Sequence, residues 1–313
     1  MGLTNFPNGI TSFGIPVLGS AGGHVTTGNV FFVSSTASGS SDGNTGDSPT
    51  EALATLDAAI GKTTANQGDM IYVMPNHAET VTGASGITFD VAGITVIGLG
   101  EYKQRPRFLM DGGTSVTAII SAADVSLQNL EFAAGHADIV TCFGVTATGA
   151  WFDKIMFTDN VAAENWLTCV KATGTTNNEA DGLKITNCEW SSIDGAGVEM
   201  LEVNADIADL VFSSNWICHD GATGVQGILL ATGKDIQRGR VVGNMLISGS
   251  TSTVDMLILT DTTANSGIVA YNLIGHHDTA SEILVDADGM RQFENRGTAT
   301  DTASGYVLPA IDS

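Results

Sequence analysis

From residue 68 onward, short apolar stretches alternate with Gly/Asn/Asp/Thr turns at a nearly constant interval. One recurrent position is Asn with apolar residues at +1 and +3: Asn129-Leu130-x-Phe132, Asn187-Cys188-x-Trp190, Asn215-Trp216-x-Cys218, Asn244-Met245-x-Ile247 and Asn272-Leu273. Lys154-Ile155-x-Phe157 fills the gap between the first two, and Gly98 takes the equivalent place in Ile94-Thr95-Val96-Ile97-Gly98-Leu99-Gly100. The steps from Gly98 to Asn272 are 31, 25, 33, 28, 29 and 28 residues. A second series runs out of phase with the first: Met200-Leu201, Ile228-Leu229, Met256-Leu257 and Ile283-Leu284, at steps of 28, 28 and 27. A fixed period in this range marks a stacked architecture. Each period holds two or three short strands and no helix, which favours a parallel β-helix over helical repeats; a propeller blade needs four strands and a longer repeat. One coil cannot bury its inward residues alone, so neighbours above and below complete both the core and the hydrogen-bond ladder.

Asn suits a recurrent corner because it tolerates left-handed backbone and can bond to the Asn of the next coil. On this reading Trp190 and Trp216 both point inward. The apolar phase before the Asn is uneven, at −2 and −4 for Asn129 and Asn187 but −3 for Asn215, Asn244 and Asn272, which leaves the turn geometry open. About eight coils at ~4.8 Å each give a stack near 40 Å long.

The first 67 residues break the pattern. Residues 1–28 read as an extended arm: Pro7 and Pro16 lock φ, and the apolar side chains Phe6, Ile10, Phe13, Ile15, Val17 and Leu18 follow neither helix nor strand periodicity. These side chains must cover the body of the same chain, a sister subunit or a different protein. Residues 29–67 comprise a strand at Asn29-Val30-Phe31-Phe32-Val33, a Gly/Ser/Asp loop, and a helix. Asp42-Gly43-Asn44-Thr45-Gly46-Asp47 offers oxygens to Ca²⁺ but lacks EF-hand spacing, so a solvated turn is the default. Ser48-Pro49-Thr50-Glu51 is a capping box, and Leu53, Leu56 and Ile60 continue a helical stripe up to Gly61. This helix is placed to plug the N-terminal end of the stack. The tail 297–313, with Tyr306-Val307-Leu308-Pro309-Ala310-Ile311, is expected to cover the other end or reach a neighbour.

Composition narrows the partners. The 313 residues are 43% hydrophobic and only 15% charged, with 38 Gly, which suits strands and tight turns. Net charge is −22 with twelve Lys and Arg in total, and residues 1–41 carry no charged side chain. Nucleic acid and anionic membrane surfaces are therefore not expected partners, and no apolar run is long enough to span a bilayer. A basic leader segment is not expected either. Cys142, Cys169, Cys188 and Cys218 form no metal or disulfide spacing and read as small buried hydrophobes.

Residues 30–290 resemble right-handed parallel β-helix proteins of the pectin-lyase-like superfamily. Gly68-Asp69-Met70-Ile71-Tyr72-Val73-Met74-Pro75-Asn76-His77-Ala78-Glu79-Thr80, then Asp90-Val91-Ala92-Gly93-Ile94-Thr95-Val96-Ile97-Gly98-Leu99-Gly100 and Arg105-Pro106-Arg107-Phe108, are similar to stretches of tailed-phage proteins, and the opening arm looks like the start of phage structural proteins. The resemblance implies an all-β, right-handed parallel β-helix solenoid over residues 68–296, and a virion component that often assembles as a trimer.

Catalysis on such a fold needs particular groups. A lyase needs a basic residue beside an acidic Ca²⁺ cluster, and a hydrolase needs carboxylates about 5–9.5 Å apart. Arg105 and Arg107 flank Pro106, and Arg238 and Arg240 share another turn, but no adjacent multi-Asp cluster accompanies them. The hydrolase pattern Asn-Thr-Asp, Asp-Asp, Gly-His-Gly, Arg-Ile-Lys is missing; Gly135-His136 and Gly275-His276 match a fragment. Asp153, Glu189, Asp194, Glu199, Glu202, Asp206 and Asp209 read as a solvated acidic face, His276-His277 as a surface turn, and His77-Ala78-Glu79 as a polar strand end. No catalytic, cofactor or metal residue is assigned. Lys103, Arg105 and Arg107 hold a quarter of the positive charge and are a candidate docking cluster for an acidic neighbour, or pair with the chain's own carboxylates. The expected function is a non-enzymatic virion protein, a capsid decoration or cement protein that docks on the major capsid protein or another virion protein through its arm. The alternative is a tailspike- or fibre-like β-helix that binds or cleaves host polysaccharide.

Overall fold

The structure, a computed structural model, describes residues 26–174, 179–192, 196–219, 225–249, 256–259, 264–276, 285–287 and 289–298, with short strand segments at 11–12, 15–16 and 306–307. The chain winds into a parallel β-solenoid with three long sheets. The first sheet has ten strands, from Val30–Val33, Met70–Val73 and Thr95–Gly98 to Arg291–Phe293. The second includes Arg107–Met110, Glu131–Ala134, Met156–Asp159, Glu189–Ser192, Trp216–His219, Met245–Ser248 and Leu273–His276. The third has seven, from Ile87–Phe89 through Trp166–Thr173 and Glu199–Asn204 to Met256–Leu259. Within each sheet, strands pair in parallel with those of the neighbouring coils, so the ladder runs along the rod. Among the described residues no helix is long and apolar enough to cross a membrane.

Two columns of left-handed residues turn the corners. One precedes the first sheet at Gly93, Asp124, Gly149, Gly182, Asp209 and Arg238; the other joins first to second sheet at Asn129, Lys154, Asn187, Ser214, Gly243, Tyr271 and Glu294. Gly98 ends its strand where a Cβ would lie 2.1 Å from the Asn129 carbonyl oxygen, which leaves room for glycine alone. Inside, the second sheet stacks Phe108, Phe132, Phe157, Trp190, Ile217, Leu246 and Ile274 one above another. Phe108 and Phe132 lie face to face at 5.1 Å, and Phe143 from the third sheet meets Phe132 edge-on at 4.6 Å.

The N-terminal end differs from expectation. The helix predicted from Ser48 is a 3₁₀ turn at Pro49–Glu51, and Ser48 makes no side-chain cap. Leu53 is fully buried and bridges to Val33, its N–H donating to the Phe32 carbonyl, so Ala52 and Leu53 are extended and cannot continue a helix. The α-helix is Leu56–Ile60, capped by Thr55 Oγ1, which accepts the Ala58 N–H; it buries Leu56, Ala59 and Ile60. At the other end Tyr306–Val307 pairs antiparallel with Arg296 and Gly297, occupying the edge of the second sheet. The arm side chains Phe6, Ile10, Phe13, Ile15, Val17 and Leu18 lie outside the described residues; of the arm, residues 26–28 and the backbone pairing of Thr11–Ser12 with Ile15–Pro16 are described.

Candidate functional site

The recurrent Asn residues occupy two positions. Asn129 and Asn187 are the left-handed corner residues, φ +55° and +54°. Asn215, Asn244 and Asn272 sit one residue later, in register with Cys188 and Ile155, and are buried. There they form a ladder. Asn215 Nδ2 donates to Asn244 Oδ1, Asn244 Nδ2 to Asn272 Oδ1 and Asn272 Nδ2 to Asn295 Oδ1, at 2.9–3.0 Å. Each also donates to a main-chain carbonyl of an earlier coil, as Asn244 does to Phe212 at 2.9 Å. The rung at Asn295 was not foreseen, because the residue lacks the apolar followers that marked the others.

Side chains alternate along a strand, so one residue of slip reverses the faces. After Asn129 and Asn187 the +1 and +3 residues Leu130, Phe132, Cys188 and Trp190 are buried as expected. After Asn215, Asn244 and Asn272 the same positions point outward. Trp216, expected inside, is 45% exposed, beside Met245 (36%), Ile247 (41%) and Leu273 (45%). Trp216, Met245 and Leu273 are in direct register on successive coils. Cys218 is likewise on the outer face and half-buried, whereas Cys142, Cys169 and Cys188 are buried. Exposed Tyr271 and Phe293 lie at and beyond the adjoining corner. The second series slips too: Leu201 pairs with Ile228 and Ile228 with Ile258, so Met200-Leu201, Ile228-Leu229 and Met256-Leu257 are not equivalent, and Ile283-Leu284 lies outside the described residues.

A polar seam runs inside the solenoid where the second sheet turns toward the third. Thr168, Glu199 and Gln226 are register partners two residues before the core positions Val170, Leu201 and Ile228, hence inward. Facing them, Ser192 donates to Asp159 Oδ2 at 3.0 Å, and buried His219 stands 6.3 Å from the Trp190 ring. Glu199 is 4% exposed, against the solvated acidic face expected for it. Its Oε1 accepts the Thr168 hydroxyl; its Oε2, like Gln226 Oε1, has no hydrogen-bond partner among the described residues. Burial pushes its carboxyl up to about 7; Glu202 adds to the rise, while the Thr168 hydrogen bond and Lys171 oppose it. Burial likewise pushes the Cys188 thiol up to about 12 and those of Cys142 and Cys169 well above the usual range, so these thiols are unreactive packing groups.

Other candidates are built into the framework. His77 Nδ1 accepts the Ser35 N–H at 2.9 Å, so Nε2 carries the proton and donates to Glu79 Oε2 at 3.1 Å; Glu79 Oε2 also accepts the Leu56 N–H. The pair ties the first coil to the capping helix. Asp42 Oδ1 accepts the N–H groups of Ala54 and Thr55, and Asn44 donates to Gly39 and Ala52, so the 42–47 loop braces the same region. Among the described residues no group of three or more His, Cys, Asp or Glu side chains is arranged to hold a metal ion. Arg107 pairs with Glu131 at 3.2 Å and with Asn160, Arg105 with Asn129, and Lys103 stands exposed on the Tyr102–Gln104 turn. Asp153 accepts from Thr186 and Asn187, Asp206 from the Asp235 N–H, and exposed Asp209 takes both prongs of Arg238, which holds its carboxyl below the ordinary range. Asp194 and His277 lie outside the described residues.

A groove of about 410 Å³ opens on the outer side of the third sheet. Thr117, Ile119, Thr141, Gly144, Thr146 and Lys171 line it. Gly144, between Ile119 and Lys171 in register, forms its open floor, and Lys171 is held at 2.7 Å by Glu202.

No family model and no curated protein matches the chain. Among solved structures, the chain is similar to a rhamnogalacturonan lyase at 14% identity and a TM-score of 0.41, covering 79% of this chain and 68% of the other. It is similar to Geobacillus virus E2 ORF18 at 11% identity and a TM-score of 0.36, covering 77% of this chain and 56% of the other.

Proposed function

We propose that the protein is a non-catalytic structural component of a phage particle, a stiff acidic solenoid anchored by its N-terminal arm to the major capsid protein or another virion protein. The observation that carries the reading is the placement of the side chains: the buried titratable groups stitch coils together, while large apolar groups, Trp216, Met245 and Leu273, are turned outward in line. Apolar surface rimmed by polar residues marks protein contact. The particle assignment rests on the likeness of residues 68–80, 90–100, 105–108 and the arm to tailed-phage proteins. Deleting residues 2–25 removes the six arm side chains but spares Thr26 and Asn29, which is held by Asp69. The truncated protein is expected to keep the solenoid's circular dichroism and to lose co-sedimentation with particles lacking it; undiminished co-sedimentation ends the reading.

A second reading, glycan recognition, draws on the groove over Gly144, whose surface is mostly apolar with Lys171 at its side. Incubation with acidic polysaccharides and host surface glycan is expected to yield no unsaturated or reducing ends and no retardation in an affinity gel. Retardation or turnover abolished by Lys171→Ala would move the assignment to this groove.

A further inference from the structure

The outer face of the second sheet changes character along the rod. In one register row it reads Arg107, Glu131, Met156, Glu189, then Trp216, Met245, Leu273, then Arg296. The first part is a polar network, with Arg107 bound to Glu131 and Asn160, and Thr158 donating to Glu131. The second part holds no charged side chain in this row, and Ile247 and Tyr271 widen it; Phe293 lies across the corner, beside exposed Glu294. On a molecule of net charge −22, the longest segment free of charge and rich in apolar side chains is the arm; residues 302–311 are a shorter one, and their strand Tyr306–Val307 is already paired with Arg296 and Gly297. We infer that this patch is the seat of the N-terminal arm of a sister copy, Phe6, Ile10, Phe13, Ile15, Val17 and Leu18 covering Trp216, Met245, Ile247, Leu273, Tyr271 and Phe293.

Reach, charge and route select this occupant. Twenty-five residues, less the six that double back at Thr11–Pro16, span up to about 60 Å, against a rod about 43 Å long at ~4.8 Å per strand step. Two strongly acidic bodies repel, so an uncharged strap laid on an uncharged patch is the contact that costs least electrostatically. The molecule's own arm joins the body ahead of Val30–Val33, at the N-terminal end of the first sheet, and reaches the patch only by running most of the rod's length; an arm arriving from a neighbour does not. Such an exchange joins copies arm to patch, a heterologous contact that propagates into a ring or a filament. The inference rests on the arm-anchoring reading and extends it from the particle to the sister subunit: in an arm-to-patch array the terminal copy alone keeps a free arm, and that arm is the one left for the particle.

Mixing full-length variants tests it. One carries Trp216→Glu and Leu273→Glu, both at exposed positions; the other carries Phe6→Glu, Phe13→Glu and Val17→Glu. In sedimentation velocity the native chain is expected to self-associate with rising concentration, and each variant alone to stay monomeric, its association weakened about 100-fold. Mixed, the variants should form a 1:1 complex, because one retains the arm and the other the patch. A monomeric mixture alongside an associating native chain overturns the proposal, as does a patch variant that associates like the native chain or a native chain that stays monomeric. Particle co-sedimentation is read separately: the patch variant, with its arm intact, should still reach particles by the anchoring reading, so loss of either result identifies which of the two has failed.

Discussion

Asn244→Ala is expected to lower the unfolding free energy by about 4 kcal/mol or more, a large part of the ~5–15 kcal/mol typical of a folded domain. The truncation removes four buried hydrogen bonds at once, although Asn215 Nδ2 keeps the Ile185 carbonyl and Asn272 Oδ1 keeps the main-chain N–H of residue 244. The N–H and Nδ2 of Asn215 both donate to Asn244 Oδ1, and Asn244 Nδ2 donates to Asn272 Oδ1 and to the Phe212 carbonyl. A buried hydrogen bond lost costs ~1 kcal/mol, a buried group left without a partner ~1–3 kcal/mol, and the alanine methyl offers no replacement for any of the four. Asn187→Ala is the control: its side chain is exposed and bonds to Asp153, so the loss should stay at about 2 kcal/mol, roughly half of it the cost of alanine at φ +54°. Urea unfolding of both variants decides the matter. Equal shifts in midpoint would mean that the ladder does not hold the C-terminal coils together.

The second large effect is a stability that falls as pH rises. The Glu199 carboxyl titrates near 7 in the fold, against its ordinary 4.5, because burial disfavours its charged form. Between these values the folded state holds a proton that the unfolded chain releases, so the slope of unfolding free energy with pH is negative. The contribution is fully present below pH ~4.5, declines through neutrality and is gone above the folded pKa, a loss of about 3 kcal/mol at ~1.4 kcal/mol per unit. Protonation also turns Glu199 Oε2 from a buried acceptor without a partner into a donor, on the coil next to its register partner Gln226, whose Oε1 likewise has no partner among the described residues. Glu199→Gln imitates the neutral acid. The variant should match the native protein at pH 5 and exceed it by most of that amount at pH 8, as read from urea midpoints. Parallel pH profiles for the two proteins would show that Glu199 is not the titrating group; the general repulsion of a −22 chain also grows with pH but is common to both.

Much of this architecture is visible in the chain before it folds. Period-28 spacing and turn residues are enough for a parallel solenoid, and Asn129 and Asn187 are enough for left-handed corners, because coils of equal length must repeat their turn chemistry. The uneven apolar phase around the later Asn residues is the trace of the one-residue slip, a signal whose meaning needs the register to be known. Glu199 shows the opposite case. Nothing local separates it from Glu202 three positions on, yet one faces the core and the other pairs with Lys171 outside. The capping box at Ser48 is a true local preference that loses to burial of Leu53 against Val33.

Period, turn composition and charge are properties of neighbours along the chain, and they are sufficient for the coil length, the solenoid class and the exclusion of basic-surface chemistry. Which face a side chain takes is a property of pairing between coils some 28 residues apart. A shift of one residue costs the backbone ladder nothing but exchanges inside for outside, and for that reason the outward row of Trp216, Met245 and Leu273 and the inward carboxyl of Glu199 came into being only when the coils stacked.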